Sequence, residues 1–133
     1  MNLQQEVAAL LARLDGPRAE EAVCDLTCLT EALPFVAEVY YREPDARRRE
    51  LLIYCLWQYR DVAALPTLEA ALRDPDERVW KEALDGLVAL GGDGANRVLH
   101  EARAALSEDV TARTRCEWID EAIDQVRETT DPG

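Results

Sequence analysis

Two stretches of this chain repeat each other, and that repetition restricts its fold more than any other feature. Ala32-Leu33-Pro34 is followed by Pro44-Asp45-Ala46-Arg47, and Ala64-Leu65-Pro66 is followed by Pro75-Asp76-Glu77-Arg78. From the Pro-Asp turn onward the copies lie 31 residues apart, pairing Leu52 with Ala83, Ile53 with Leu84 and Leu56 with Leu87. A period of this size, with two apolar segments per unit, is the mark of stacked helical pairs. A single pair cannot bury its own apolar face, so each unit must pack on its neighbours.

The boundaries have local causes. Asp45 and Asp76 suit helix N-caps, and each follows a proline that discourages the preceding helix from continuing. Pro34 and Pro66 fall near helix starts, where a missing N–H costs least. Asp15-Gly16-Pro17 and Leu90-Gly91-Gly92-Asp93-Gly94 read as turns between helices. Apolar residues recur at helical spacing, as in Leu3, Val7, Leu10, Leu11 and Leu14, and again in Val79, Ala83, Leu84, Leu87 and Leu90. The pattern predicts an all-α solenoid of eight antiparallel helices in four pairs: about 2–14 with 18–31, 34–42 with 45–60, 62–73 with 76–90, and 95–106 with 109–128. Residues 1–128 form one repeat domain on this reading, and 129–133 a disordered tail.

The segment Asp74-Pro75-Asp76-Glu77-Arg78-Val79-Trp80, continuing through Ala83, Leu84 and Leu87 to Gly92-Asp93, carries a likeness to a known family. It resembles the HEAT-like repeat first named for phycobilisome lyases, in which an acidic Pro-Asp turn precedes Val-Arg, spaced Ala and Leu, and a Gly-Asp turn. Trp80 stands where that pattern often has Arg, and the copy beginning at Pro44 has Arg48 in place of Val. The resemblance implies an architecture and no particular activity, because function resides in sites rather than in folds.

Net charge narrows the function classes. With 27 acidic and 15 basic side chains the chain carries −12, which repels nucleic-acid phosphates and anionic membrane surfaces alike. A basic protein is the partner this charge favours. No apolar run approaches the ~20 residues of a membrane span. The first residues, Met-Asn-Leu-Gln-Gln-Glu, have no basic, apolar leader character. Cys24, Cys28, Cys55 and Cys116 sit within helical patterns, which fits reduced thiols in a cytoplasmic protein.

Candidate chemistry is sparse. His100 is the single histidine and has Asn96, Arg103 and Ala104 as helical neighbours, so no triad is visible around it. Cys24 and Cys28 share a helix face without a second pair to complete a zinc site, and are expected to pack as small apolar groups between helices. Gly91-Gly92-Asp93-Gly94 lacks the Lys and Ser/Thr of a phosphate loop. No cofactor or metal is expected. Arg47-Arg48-Arg49 opens a helix against its dipole, and compensation by Glu43, Glu50 or neighbouring repeats is expected there.

Two surfaces qualify for binding. Second helices line the concave side of such arrays, so Tyr54, Trp80 and Asp85 are expected to share a shallow groove, with aromatic anchors beside a charge. On the last helix, Glu117, Asp120, Glu121 and Asp124 form an acidic stripe, opposite an apolar side made of Trp118, Ile119, Ala122, Ile123 and Val126. The leading expectation is therefore a non-enzymatic protein-binding module. Its sharper form is an acidic inhibitor, such as a bacterial immunity protein masking a basic nuclease toxin. A regulatory or assembly adaptor is the alternative, and a small enzyme related to chromophore lyases a further one.

Overall fold

The computed structural model describes residues 2–14, 16–106 and 109–130. Eight α-helices follow one another in these residues: α1 (Leu3–Ala12), α2 (Ala19–Cys28), α3 (Leu33–Arg42), α4 (Ala46–Gln58), α5 (Leu65–Ala71), α6 (Glu77–Leu90), α7 (Gly92–Leu106) and α8 (Arg113–Thr130). The helix count and the pairing match the sequence expectation. Short 3-10 turns at Thr30–Ala32, Val62–Ala64 and Val110–Ala112 lead into α3, α5 and α8. The last two begin after an aspartate, Asp61 or Asp109, whose side chain accepts the N–H two residues on at 2.9 Å.

The repeated caps behave as the sequence implies. Asp45 and Asp76 take extended backbone and accept the N–H of Arg48 and Arg78, at 3.1 and 2.9 Å. Pro34 and Pro66 occupy the first turn of α3 and α5. The glycine turn is shorter than expected. Only Gly91 and Gly92 take positive φ, at 62° and 80°, and Gly92 already opens α7. Gly94 lies inside that helix, where a Cβ would stand 2.7 Å from Leu65 Cδ1. The expected disordered tail divides: Thr129 and Thr130 complete α8, and 131–133 lie outside the described residues. Asp15 of the first expected turn also lies outside them.

The helices form two layers. The second helices pack in series, α2 on α4, α4 on α6 and α6 on α8, while among the first helices α1 contacts α3 and α5 contacts α7. One continuous core runs between the layers, with Leu26, Leu52, Ile53, Leu56, Leu68, Leu72, Leu87, Leu99 and Ile119 fully buried. Apolar burial at helical spacing is thus satisfied by stacking rather than within any single pair. This is the arrangement of a HEAT-like helical repeat. No helix among the described residues is long and apolar enough to cross a membrane.

Polar links tie the repeats together where the apolar contacts end. Asp74, 6% exposed, accepts Tyr40 Oη at 3.1 Å and Arg49 Nε and Nη2 at 2.9 and 3.3 Å. Arg49 also donates to the carbonyls of Glu43 and Pro44, and Arg48 pairs with Glu43 at 2.6 Å. The basic run at the start of α4 is therefore compensated by acids of its own turn and of the next repeat, as expected. Tyr59 Oη reaches back to the carbonyl of Leu26 at 2.7 Å.

Candidate functional site

The second-helix layer carries two grooves, one on each side of α6. The larger, of 410 Å³, lies where α2, α4 and α6 meet. Ala19, Val23, Leu51 and Tyr54 supply its apolar lining, and Glu20, Glu50 and Glu82 its carboxylates, with Arg47 as a cation. The smaller, of 140 Å³, lies between α6 and α8. There Leu84, Val88, Ala122 and Trp118 form the apolar part, with Asp85, Glu121 and Gln125 as the polar part. Glu82 and Asp85 are three residues apart on α6, so they lie on neighbouring sides of one turn and bring the two grooves together.

Glu82 is the perturbed acid of this surface. Burial pushes its carboxyl up to about 7, and the nearby Asp85 and Glu50 carboxylates add to the rise. Asp85 is raised less, again first by burial, and its hydrogen bond with Glu82 opposes that rise. A proton on the pair therefore resides on Glu82, shared toward Asp85. The Trp57 indole N–H lies close enough to favour the ionised Glu82. It does not reach hydrogen-bond geometry, and its nitrogen is buried without an acceptor. Trp57 itself packs against Gly86 of α6 and edge-on to Tyr54, with ring centroids 5.7 Å apart. Tyr54 and Glu82 are thus held by the same contact between α4 and α6.

This placement has a consequence for stability. The folded protein holds the Glu82 proton more tightly than the unfolded chain, whose carboxyl titrates near 4.5. The associated stability is full below that pH and is lost as pH rises through about 7. Glu82→Gln is expected to stabilise the fold at pH 8 by roughly 1–2 kcal/mol, after allowance for partial exposure. At pH 4 the variant and parent should unfold alike. Urea unfolding at the two pH values checks this, and a variant no more stable than the parent at pH 8 would remove Glu82 from the role of buried acid.

The expected site residues separate. Tyr54 lines the larger groove and Asp85 the smaller, so they do not share one depression. Trp80 is in neither. It is 4% exposed, wedged between the Arg115 guanidinium, 5.0 Å from its ring centroid, and the edge of Trp118, 6.3 Å away. Trp118, which the sequence placed on the apolar side of α8, is instead 41% exposed. Lys81 Nζ stands 4.2 Å from its ring centroid. The reason is geometric: Trp80 lies within the contact between α6 and α8, whereas Trp118 lines the open groove between them.

Glu117, Asp120, Glu121 and Asp124 are exposed on α8. Asp120 pairs with Arg103 of α7 at 2.8 Å and Glu117 with Arg113 at 3.7 Å, while Glu121 lines the smaller groove. The stripe is divided between intramolecular pairs and the groove. Cys24 and Cys28 are exposed, contrary to the expectation that they pack between helices, because α2 turns that face outward. Cys55 and Cys116 are buried. His100 is exposed on α7. Among the described residues no group of three or more His, Cys, Asp or Glu side chains is placed to hold a metal ion. Sequence reasoning missed Glu82. Its signal was available, since the repeat offset sets Glu82 opposite Leu51, an acid where the other copy has an apolar residue.

Over 108 residues, 76% of this chain, the sequence aligns at 32% identity with a protein of Danio rerio. The chain is similar to deoxyhypusine hydroxylase. It spans 35% of the length of that relative. No family model matches the chain, and no solved structure matches it. The similarity is to an enzyme, and it overturns the expectation of a non-enzymatic binding module of inhibitor or immunity type. In the sequence, acidity and a missing triad read as a passive surface. A carboxylate whose proton affinity is set by tertiary burial is invisible to both criteria.

Proposed function

We propose that this chain is an enzyme-type HEAT-like repeat unit that holds an amine-bearing, positively charged side chain in the groove between α2, α4 and α6. The observation that carries this reading is Glu82, an acid poised near neutral pH in a groove lined by Glu20, Glu50 and Tyr54. Its apolar part suits an aliphatic stem, and its carboxylates suit the ammonium at the end. The similarity to a protein named deoxyhypusine hydroxylase supports an enzyme-type role for this unit. Glu82, beside Asp85 on α6, is suited to exchange a proton with the bound group near neutral pH.

On the Asp74–Asp93 motif, the repeats are of the phycobilisome-lyase type within the HEAT-like class. The four cysteines, all free, fit a cytoplasmic setting.

Binding of a lysine-like amine is expected to strengthen with pH. Between pH 6 and 8 the ligand amine stays protonated while Glu82 loses its proton, so affinity should rise by up to about tenfold. Glu20 and Glu50 add attraction for the cation in this groove and Arg47 adds repulsion. Calorimetric titration of N-acetyl-lysine methylamide at the two pH values, on the parent protein and Glu82→Gln, is the test. The variant should bind weakly and without pH dependence. A parent protein that does not bind the amine, or binds it equally at both pH values, sinks this reading.

A further inference from the structure

A donor without an acceptor stands beside the perturbed acid. The Trp57 indole nitrogen is buried, and among the described residues it is the buried side-chain polar atom that finds no partner. Such a donor is costly to enclose, and it calls for an acceptor able to reach it. The ring cannot turn to find one. Its Cβ, Cγ and Cδ1 lie against Gly86, its edge meets Tyr54, and the Arg60 guanidinium stands 5.0 Å from its centroid. Glu82 can move instead. It is half-buried on the wall of the larger groove, one helical turn before Gly86 on the same side of α6.

We propose that Trp57 is the positioning residue of Glu82: its indole N–H donates to one oxygen of the ionised carboxylate and leaves the other oxygen facing the groove. The inference rests on the proposed amine-binding role of that groove and adds how its acid is aimed. An ionised acceptor makes a shorter and stronger hydrogen bond than a neutral one. The indole contact therefore forms as Glu82 loses its proton and weakens as the proton returns. The charged groups facing Glu82 are Glu50 and Arg47 of α4, Glu20 of α2 and Asp85 of its own helix. From α8, Glu121 stands beside Asp85 in the smaller groove. The first-layer helices α5 and α7 contribute no residue to either groove. Glu50 and Asp85 hold the proton on Glu82, and the indole opposes them.

The test follows both partners by NMR on the full chain between pH 5 and 9, in the parent protein, Glu82→Gln and Trp57→Phe. The Trp57 indole proton should move downfield with a single midpoint, the same as that of the Glu82 carboxyl carbon. In Glu82→Gln that movement should vanish, with the Trp80 and Trp118 indoles as internal references. Trp57→Phe keeps an aromatic ring and removes the donor, so Glu82 should hold its proton about tenfold more tightly and its midpoint should rise by about one pH unit. A purely structural role predicts the opposite sign, since lost packing admits water to the acid and lowers the midpoint. An indole resonance that stays still while Glu82 titrates, or a midpoint that falls in Trp57→Phe, overturns the positioning role and leaves the amine site standing. Coincident titration in a protein that binds no amine supports the contact and removes the amine site. A Glu82 carboxyl that titrates in the ordinary carboxylate range overturns both.

Discussion

Asp74→Ala is expected to destabilise the fold by about 3–5 kcal/mol, the cost of leaving a buried charge without its partner. Asp74 closes α5 and precedes the cap of α6, yet its carboxylate is spent on the preceding repeat. It accepts Tyr40 Oη from α3, two bonds from Arg49 of α4, and the Asp76 backbone N–H at 2.9 Å. Its charge also raises the proton affinity of Arg49, chiefly through their hydrogen bond. Removing the carboxylate strands the guanidinium of Arg49, which is itself mostly buried, and unmakes the turn that positions α6. Asp74→Asn, which keeps the shape and two acceptor sites, should lose less. Urea unfolding of both variants measures the effect. A loss under about 1 kcal/mol for the alanine variant would place this pair in the class of weak surface bridges.

Gly86→Ala is expected to destabilise the protein by about 1–2 kcal/mol, the reverse of the usual sign in the middle of a helix. At an unconstrained helical position alanine is favoured over glycine by roughly 1 kcal/mol. Here a Cβ would stand 2.8 Å from Cβ, Cγ and Cδ1 of Trp57. Those atoms sit at the root of the side chain and cannot swing away without moving α4 against α6, and overpacking of this kind costs about 1–3 kcal/mol. The same shift would disturb Tyr54 and the Glu82 environment. In a Trp57→Ala background Gly86→Ala should become neutral or stabilising. Thermal unfolding of the four members of that cycle gives the coupling, and additive effects of the two substitutions would show that the contact carries no strain.

Gly86 also shows how repeat reading and packing differ. At the repeat offset it corresponds to Cys55, and Trp57 to Val88, so neither residue of this contact has its like in the other copy. The contact is specific to one interface between repeats. Glu82, set opposite Leu51, belongs to the same interface. The candidate site thus sits where the two copies depart from one another. A search for shared positions finds the scaffold, and the site lies in the differences.

What the sequence alone determined is what acts within a turn or two of chain. Pro44-Asp45 and Pro75-Asp76 set the starts of α4 and α6 through caps that need only neighbouring N–H groups. The spacing of Val79, Ala83, Leu84 and Leu87 marked the buried face of α6, and the 31-residue offset implied that such faces stack. Only the tertiary structure decided which tryptophan is covered, which cysteines face water and which carboxylate holds its proton. Trp80 and Trp118 both lie on amphipathic helices, but Trp80 is covered by Arg115 and Trp118, whereas Trp118 lines the open groove between α6 and α8. Glu82 looks like any other of the 27 acids until α4 brings Trp57 and Glu50 beside it. Loss of water and proximity of charge are set by neighbours distant in the chain, and no periodicity within one helix records them.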